Sequence, residues 1–294
     1  MASTTELAAM RQAIILSSFG LGTASPNPPV GCVILDRHGA TVGAGYHQRK
    51  GRPHAEANAL TAAGAAAHGG TAVVTLEPCN HVGVTPACRQ ELINAGIARV
   101  VISVIDPTSQ GDGGAAVLAA HGVDVETGVI PDETLTVLGP WLAATRRRRP
   151  HLTWAYAAHG DNNRETTERL IADLRSQADL VLTDETVNEG IPGGHAPEHF
   201  ALPNASTADL REWLSTCYTS GTRTILAVGA HHADLLHDNL NDVDDIVVAT
   251  GTPLTGGRVP TSGIALPGFK IVDTSSHGTS IVVRLRRSDP AARQ

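Results

Sequence analysis

The chain has 294 residues, too many for one small domain and enough for two. Hydrophobic residues make up 41%, which excludes a disordered chain, and the net charge of −7 excludes general nucleic-acid binding, which needs a basic surface. No apolar run reaches the length of a membrane span, and the opening twenty residues lack the basic-then-apolar pattern of a signal peptide. The expectation is a cytoplasmic protein with neither nucleic-acid nor membrane partners. Ala and Gly are abundant while aromatics are only 3%, a bias that suits close packing of small residues.

The N-terminal segment reads as an amphipathic helix with Ser3 and Glu6 as a capping box. "VGCVILD" (30–36) is a buried strand, and with the turn "DRHGA" and "TVGAGY" (41–46) it forms a hairpin. "HAEANALTAAGAAA" from His54 is helical, and "TAVVTLE" (71–77) is a strand. "TPACRQELINAG" is a helix with Thr85 as N-cap, Pro86 at the first helical position and Gly96 past the end. Strand "ARVVISVID", helix "GGAAVLAAHG", strand "VDVETGV" and helix "DETLTVLGPWLAATRRRR" complete this half. The order predicts a mixed sheet between helices, a three-layer α/β/α domain over residues 1–147. The basic run Arg146–Arg149 reads as a helix end or linker, since cations favour a helix C-terminus. Residues 150–294 form a second α/β domain. Strand "HLTWAYAA", helix "ETTERLIADLRSQA", strand "DLVLTD", a Gly/Pro-rich loop from Asn188 to Asn204 and helix "TADLREWLSTC" come first. "TRTILAVG", "ADLLHDNLND", "VDDIVVAT" and "SIVVRLRR" continue the alternation.

Four cysteines in a chain of this size point to metal binding or core use rather than a disulfide framework. "PHAEANAL" supplies His54 and Glu56, "EPC" supplies Cys79 and "TPAC" supplies Cys88. One His and two Cys suit a catalytic zinc, which keeps its fourth position for water and lowers the pKa of that water towards ~7. Glu56, two residues from His54 at the start of a helix, is the candidate general acid/base and not a ligand. This is the division of labour of zinc deaminases, with a His-x-Glu carboxylate beside His and Cys ligands. Their shorter signature has two residues between the cysteines; here eight intervene. Cys32 and Cys217 are assigned to packing, and His195, His199, His232 and His237 to the surface.

Together, "TASPNPPVGCVI", "GYHQRKGRPHAEANAL", "TAVVTLEPCNHVGVTPAC" and "LINAGIARVVISVIDP" resemble the deaminase domain of the bifunctional riboflavin-biosynthesis deaminase–reductase family, from about Met10 to Pro150. The long loop between the cysteines is a feature of that family. The resemblance implies a cytidine-deaminase-like fold, Zn2+ held by His54, Cys79 and Cys88, and proton transfer by Glu56. It also implies substrate contacts from Asn27 and His81. The family reaction replaces the ring amine of 2,5-diamino-6-ribosylamino-4-pyrimidinone 5′-phosphate with oxygen and releases ammonia. No second cofactor is required.

Two features depart from that pattern. Family members read Pro-Cys-Ser-His-His/Tyr-Gly-Arg/Lys-Thr-Pro-Pro-Cys; here Asn80, Val82 and Val84 replace the Ser, the second His or Tyr, and the cation. Arg or Lys suits a phosphate contact and Val84 does not. "QRKGR" offers Arg49, Lys50 or Arg52 instead, and Arg49, Lys50 and Thr85 join the candidate substrate contacts. The second half resembles a dihydrofolate-reductase-like reductase domain whose redox site has decayed. "AHGDNN" has lost the opening Ser-Leu-Asp-Gly-Lys/Arg pattern although Asp161 remains, and "LTDETVNEGIPGG" stands in the next loop. "VGAHH" puts Ala230, His231 and His232 where glycines would approach a nicotinamide cofactor.

The leading reading is a zinc-dependent deaminase of an aminopyrimidine, a small heterocyclic amine, in riboflavin synthesis or a related pathway, without reductase activity and assembled as a homodimer or homotetramer. A second is a relative in specialised metabolism that uses the same zinc site to deaminate or dehydrate another amine- or guanidine-bearing molecule. A third is a non-catalytic scaffold with structural zinc, against which Glu56 argues.

Overall fold

The computed structural model describes the chain except residues 81–86, 110, 112, 158–163, 184–185, 205–208, 230–235, 237, 252–267, 278–279 and 289–294. The chain divides into two compact units: residues 1–147 with 195–200, and residues 148–194 with 201–294.

The first unit holds, in chain order, α1 (Thr4–Ser18), β1 (Gly31–Leu35), β2 (Thr41–Tyr46), α2 (Ala55–Ala63), β3 (Thr71–Leu76), α3 (Cys88–Asn94), β4 (Arg99–Val104), α4 (Gly113–Ala120), β5 (Asp124–Thr127) and α5 (Pro131–Arg147). The sheet order is β2-β1-β3-β4-β5; β1 runs antiparallel to β2 and β3, and β3, β4 and β5 run parallel. Side chains alternate across this sheet, so each strand feeds two cores. Ile34, Val74 and Ile102 pack with Leu92 of α3 and Leu118 of α4, whereas Val33, Val73 and Val101 pack with Met10, Ala13 and Ile14 of α1. This is the three-layer arrangement that the element order predicts. Ser3 and Glu6 form the expected capping box at α1.

Close helix–strand contact explains the Ala/Gly bias. Gly43 and Gly45 line one face of β2, and a Cβ on them would fall 2.2 Å from Ala59 O and 2.6 Å from Asn58 Cβ of α2. Only hydrogen side chains on β2 let α2 lie this near. That approach sets where the start of α2, and with it His54 and Glu56, meets the sheet.

The second unit contains β6 (His151–Ala157), α6 (Arg164–Gln177), β7 (Leu180–Leu182), β8 (Val187–Glu189), α7 (Leu210–Thr219), β9 (Thr224–Val228), β10 (Asp245–Gly251), β11 (Phe269–His277) and β12 (Ser280–Arg287). Its sheet order is β11-β12-β10-β6-β9-β7-β8, parallel from β10 to β7 and antiparallel at both edges.

Four expectations need correction. Asn188 belongs to β8 rather than to the start of a loop. β11 has no counterpart in the sequence reading: "FKIVDTSSH" lacks apolar alternation because it is an exposed edge strand, irregular between Ile271 and Asp273. His195 is not a surface residue; it is buried and stacked on Phe200, with ring centroids 3.8 Å apart. Finally, α3 starts at Cys88 with Ala87 in the N-cap position, later than the Thr85–Pro86 signal predicts. Ala87 stays extended, and the Cys88 N–H donates to Cys79 Sγ (3.3 Å) instead of sitting inside a helix begun at Pro86. Thr85 and Pro86 lie outside the described residues, as do Asp161, Ala230, His231, His232, His237 and residues 233–235 at the start of "ADLLHDNLND".

Candidate metal centre

His54 is the N-cap residue of α2, with extended backbone, and Glu56 follows in the first turn. Cys79 lies beyond the end of β3, and Cys88 is the first residue of α3. The fold brings the three together: their donor atoms all lie within 4.8 Å of one another. His54 Nδ1 is 3.2 Å from Cys88 Sγ and 3.8 Å from Cys79 Sγ. Zinc–sulfur and zinc–nitrogen bonds of about 2.3 and 2.0 Å at a tetrahedral ion separate such donors by about 3.5 Å, so the set fits that metal. His54 offers Nδ1 as its ligand atom.

Charge in the cluster follows from its contacts. The hydrogen bond from the Cys88 thiol brings Cys79 down to about 4, against the opposing effect of burial and with help from His54. Cys88 goes up, because it keeps the shared proton and is buried. His54 goes up through its hydrogen bond to Cys79. Glu56 is buried, and burial pushes its carboxyl up to about 7 although His54 opposes the rise. A carboxyl poised near neutrality can both take and give a proton.

Asn27 lies in the loop between α1 and β1. The indole of Trp141 in α5 donates to Pro26 O (3.0 Å), and the Thr23 hydroxyl donates to Gln48 O (2.7 Å), tying this loop to the turn after β2. Asn27 Nδ2 meets His47 Nε2 at 3.1 Å, and His47 Nδ1 meets Pro53 O at 3.1 Å. A carbonyl only accepts, so Nδ1 carries the proton and Nε2 accepts from Asn27. Burial holds His47 down to about 4, which keeps that acceptor free. The His47 and His54 rings meet edge to face at 5.0 Å. Lys50 Nζ donates to Asn27 Oδ1 (3.1 Å), while Arg49 is half-buried in the same turn. His81, Val84 and Thr85 lie outside the described residues.

The sequence reading overlooked two residues. His47 carried no ligand-like spacing; its one signal is a position seven residues ahead of His54. Glu77, just before "PC", is buried and accepts from Ala115 N (2.9 Å) and Asp106 N (3.2 Å). It ties the loop after β4 to the first turn of α4, where Gly114 approaches Pro78 so tightly that a Cβ would lie 1.9 Å from Pro78 O.

Residues 3–104 match the family model of the cytidine and deoxycytidylate deaminase zinc-binding region. The diaminohydroxyphosphoribosylamino-pyrimidine deaminase of Buchnera aphidicola subsp. Acyrthosiphon pisum is 52% identical over 126 residues, 42% of this chain and 85% of that protein. The chain belongs to the diaminohydroxyphosphoribosylamino-pyrimidine deaminase family. It is an enzyme of the hydrolytic deaminase class. The riboflavin biosynthesis protein RibD of Escherichia coli is 47% identical over 144 residues, 49% of this chain and 39% of that protein. RibD of Mycobacterium tuberculosis is 46% identical over 141 residues, 48% of this chain and 42% of that protein. The chain therefore spans less than half the length of these RibD relatives. Among solved structures, a diaminohydroxyphosphoribosylaminopyrimidine deaminase/5-amino-6-(5-phosphoribosylamino)uracil reductase from Thermotoga maritima superposes with a TM-score of 0.79 over 97% of this chain and 99% of that one, at 22% identity. Acinetobacter baumannii RibD superposes with a TM-score of 0.75 at 24% identity, again over 97% and 99%. At those identities the likeness establishes the fold alone: two mixed α/β units. No helix among the described residues is long and apolar enough to cross a membrane.

Proposed function

We propose that the first unit binds one zinc ion through His54, Cys79 and Cys88 and hydrolyses the ring amine of an aminopyrimidine, with Glu56 as the proton carrier. The substrate in this reading is 2,5-diamino-6-ribosylamino-4-pyrimidinone 5′-phosphate or a close relative. The observation that carries it is Glu56: a buried carboxyl raised to about 7, two residues from a His that shares a 4.8 Å cluster with two cysteines. Zinc in that cluster would supply a water acidified towards pH ~7.

Glu56 takes one proton from the attacking water to a ring nitrogen, and on collapse takes the second, from the hydroxyl of the tetrahedral carbon, to the departing amine. The tetrahedral carbon collapses to a carbonyl and ammonia leaves. Asn27, fixed by His47 and Lys50, presents its remaining amide hydrogen to the substrate, and His81 and Thr85 complete the contacts. Ammonia release on the phosphorylated pyrimidine and on its dephosphorylated form tests the reading; equal inactivity on both would overturn it. That result would favour the relative in specialised metabolism, to which Val84 points.

The second unit lacks reductase activity in this reading, supported by Ala230, His231 and His232 in place of glycines. Saturable NADPH binding with substrate-dependent oxidation would overturn that part. The four free cysteines support a reducing, cytoplasmic setting. We place the enzyme there as a homo-oligomer, with light scattering as the test of its assembly.

A further inference from the structure

We propose that Lys50 is the residue with which this chain selects a phosphate monoester on its substrate, remote from the amine that reacts. The inference rests on the aminopyrimidine reading above. It starts from a turn. The Arg52 N–H donates to Arg49 O (3.1 Å), which places Lys50 and Gly51 at the two central positions. Gly51 has φ 83 and no atom within 4 Å of its would-be Cβ, so glycine is there for its conformation alone. The turn swings the half-buried Lys50 towards Asn27, where Nζ donates to Oδ1 (3.1 Å). Asn27 in turn meets His47 at 3.1 Å, and the His47 ring meets that of His54 edge to face at 5.0 Å, so contacts run from Lys50 to the metal cluster.

Counter-charge is missing there. Among the described residues, no carboxylate lies within 4 Å of Arg49, Lys50 or Arg52, and the one hydrogen-bond partner of Lys50 is a neutral amide. A partly buried ammonium with a single neutral partner is costly unless an anion completes its shell. The eight residues from Asn80 to Ala87 contain no Lys or Arg. Arg89, the next cation along, directs Nε to Asn80 Oδ1 and Nη1 to Gln90 Oε1 (3.4 Å), so its fork is engaged. Arg52 is exposed. Of the cations in this turn, Lys50 is the one bonded to a candidate substrate contact, Asn27, and an ammonium on a flexible stem serves a phosphate as a point charge.

The decisive measurement is the ratio of kcat/KM for the phosphorylated pyrimidine to that for its dephosphorylated form. In Lys50→Gln the ratio falls about 30-fold through KM for the phosphorylated form, while Lys50→Arg keeps it within about threefold. In Arg52→Gln it is unchanged. An unchanged ratio in Lys50→Gln, or equal losses on both substrates, would overturn the proposal; equal losses would reduce Lys50 to a prop for Asn27. Calorimetric titration of the zinc-loaded chain with ribose 5-phosphate gives a readout independent of turnover. Binding by the native chain that Lys50→Gln abolishes upholds the proposal even if neither pyrimidine is deaminated and the parent reading fails. No binding, or equal binding by both proteins, overturns it.

Discussion

Glu56 in the first unit and Asp244 in the second are both buried carboxyls, and burial by itself pushes each of them up. At Glu56 that push wins, because the opposing charge of His54 is offset by Cys79. At Asp244 it loses. His151 lies 3.9 Å away, Arg149 donates two hydrogen bonds at 2.8 and 3.0 Å, and Leu152 N donates a third, so the carboxyl is held below its ordinary range. Asp245 is held low in the same way, by His151 at 3.5 Å and by two hydrogen bonds from Arg286. Both units therefore bury charge, but Glu56 has no guanidinium partner of the kind that Asp244 and Asp245 have. A carboxyl left protonatable near neutrality serves proton transfer, whereas one locked by two guanidinium bonds serves the fold.

Four experiments can break or sharpen this contrast. Glu56→Ala should lower kcat by about 10³-fold or more while the protein keeps about one zinc per chain by atomic absorption; a variant that turns over normally would remove Glu56 from the chemistry. Asp244→Asn leaves Arg149 buried against a neutral group and should cost the second unit about 3–5 kcal/mol in denaturant unfolding, with zinc content unchanged. Gly114→Ala forces a methyl into Pro78 O and should cost about 1–3 kcal/mol, read as weaker zinc retention against a chelator, because Pro78 adjoins Cys79.

The smallest effect is on acid stability. Asp244 and Asp245 have lowered folded pKa values, so their contribution is fully present above the unfolded value of about 4 and is lost as pH falls through the folded values. The denaturant midpoint of the second unit should stay level from neutrality down to about pH 5 and drop below about pH 4. Arg286→Met should flatten that drop.

The metal cluster was legible in the sequence because its chemistry is written locally. His54 and Glu56 are two residues apart at a helix start, and Cys79 follows a strand directly, so residue type and short spacing suffice. The chain of contacts Lys50–Asn27–His47 was not legible as a chain. Its members are 23 and 20 residues apart, and only the tie between the Asn27 loop and the turn after β2 joins them. His195 shows the same limit: a polar residue in a Gly/Pro-rich loop reads as exposed until Phe200 is seen stacked on it. β11 escaped notice because an edge strand with one exposed face after another has no apolar period to detect.

By itself, the sequence determined the α/β alternation, the capping box at α1 and the residue types that gather around the cluster. These depend on periodicity and on neighbours a few positions apart. Tertiary structure decided where α3 begins, that Lys50 of "QRKGR" reaches Asn27, and that Glu56 rises while Asp244 falls. Those outcomes depend on burial and on partners distant in sequence, and a carboxyl or an ammonium acquires its character from what surrounds it.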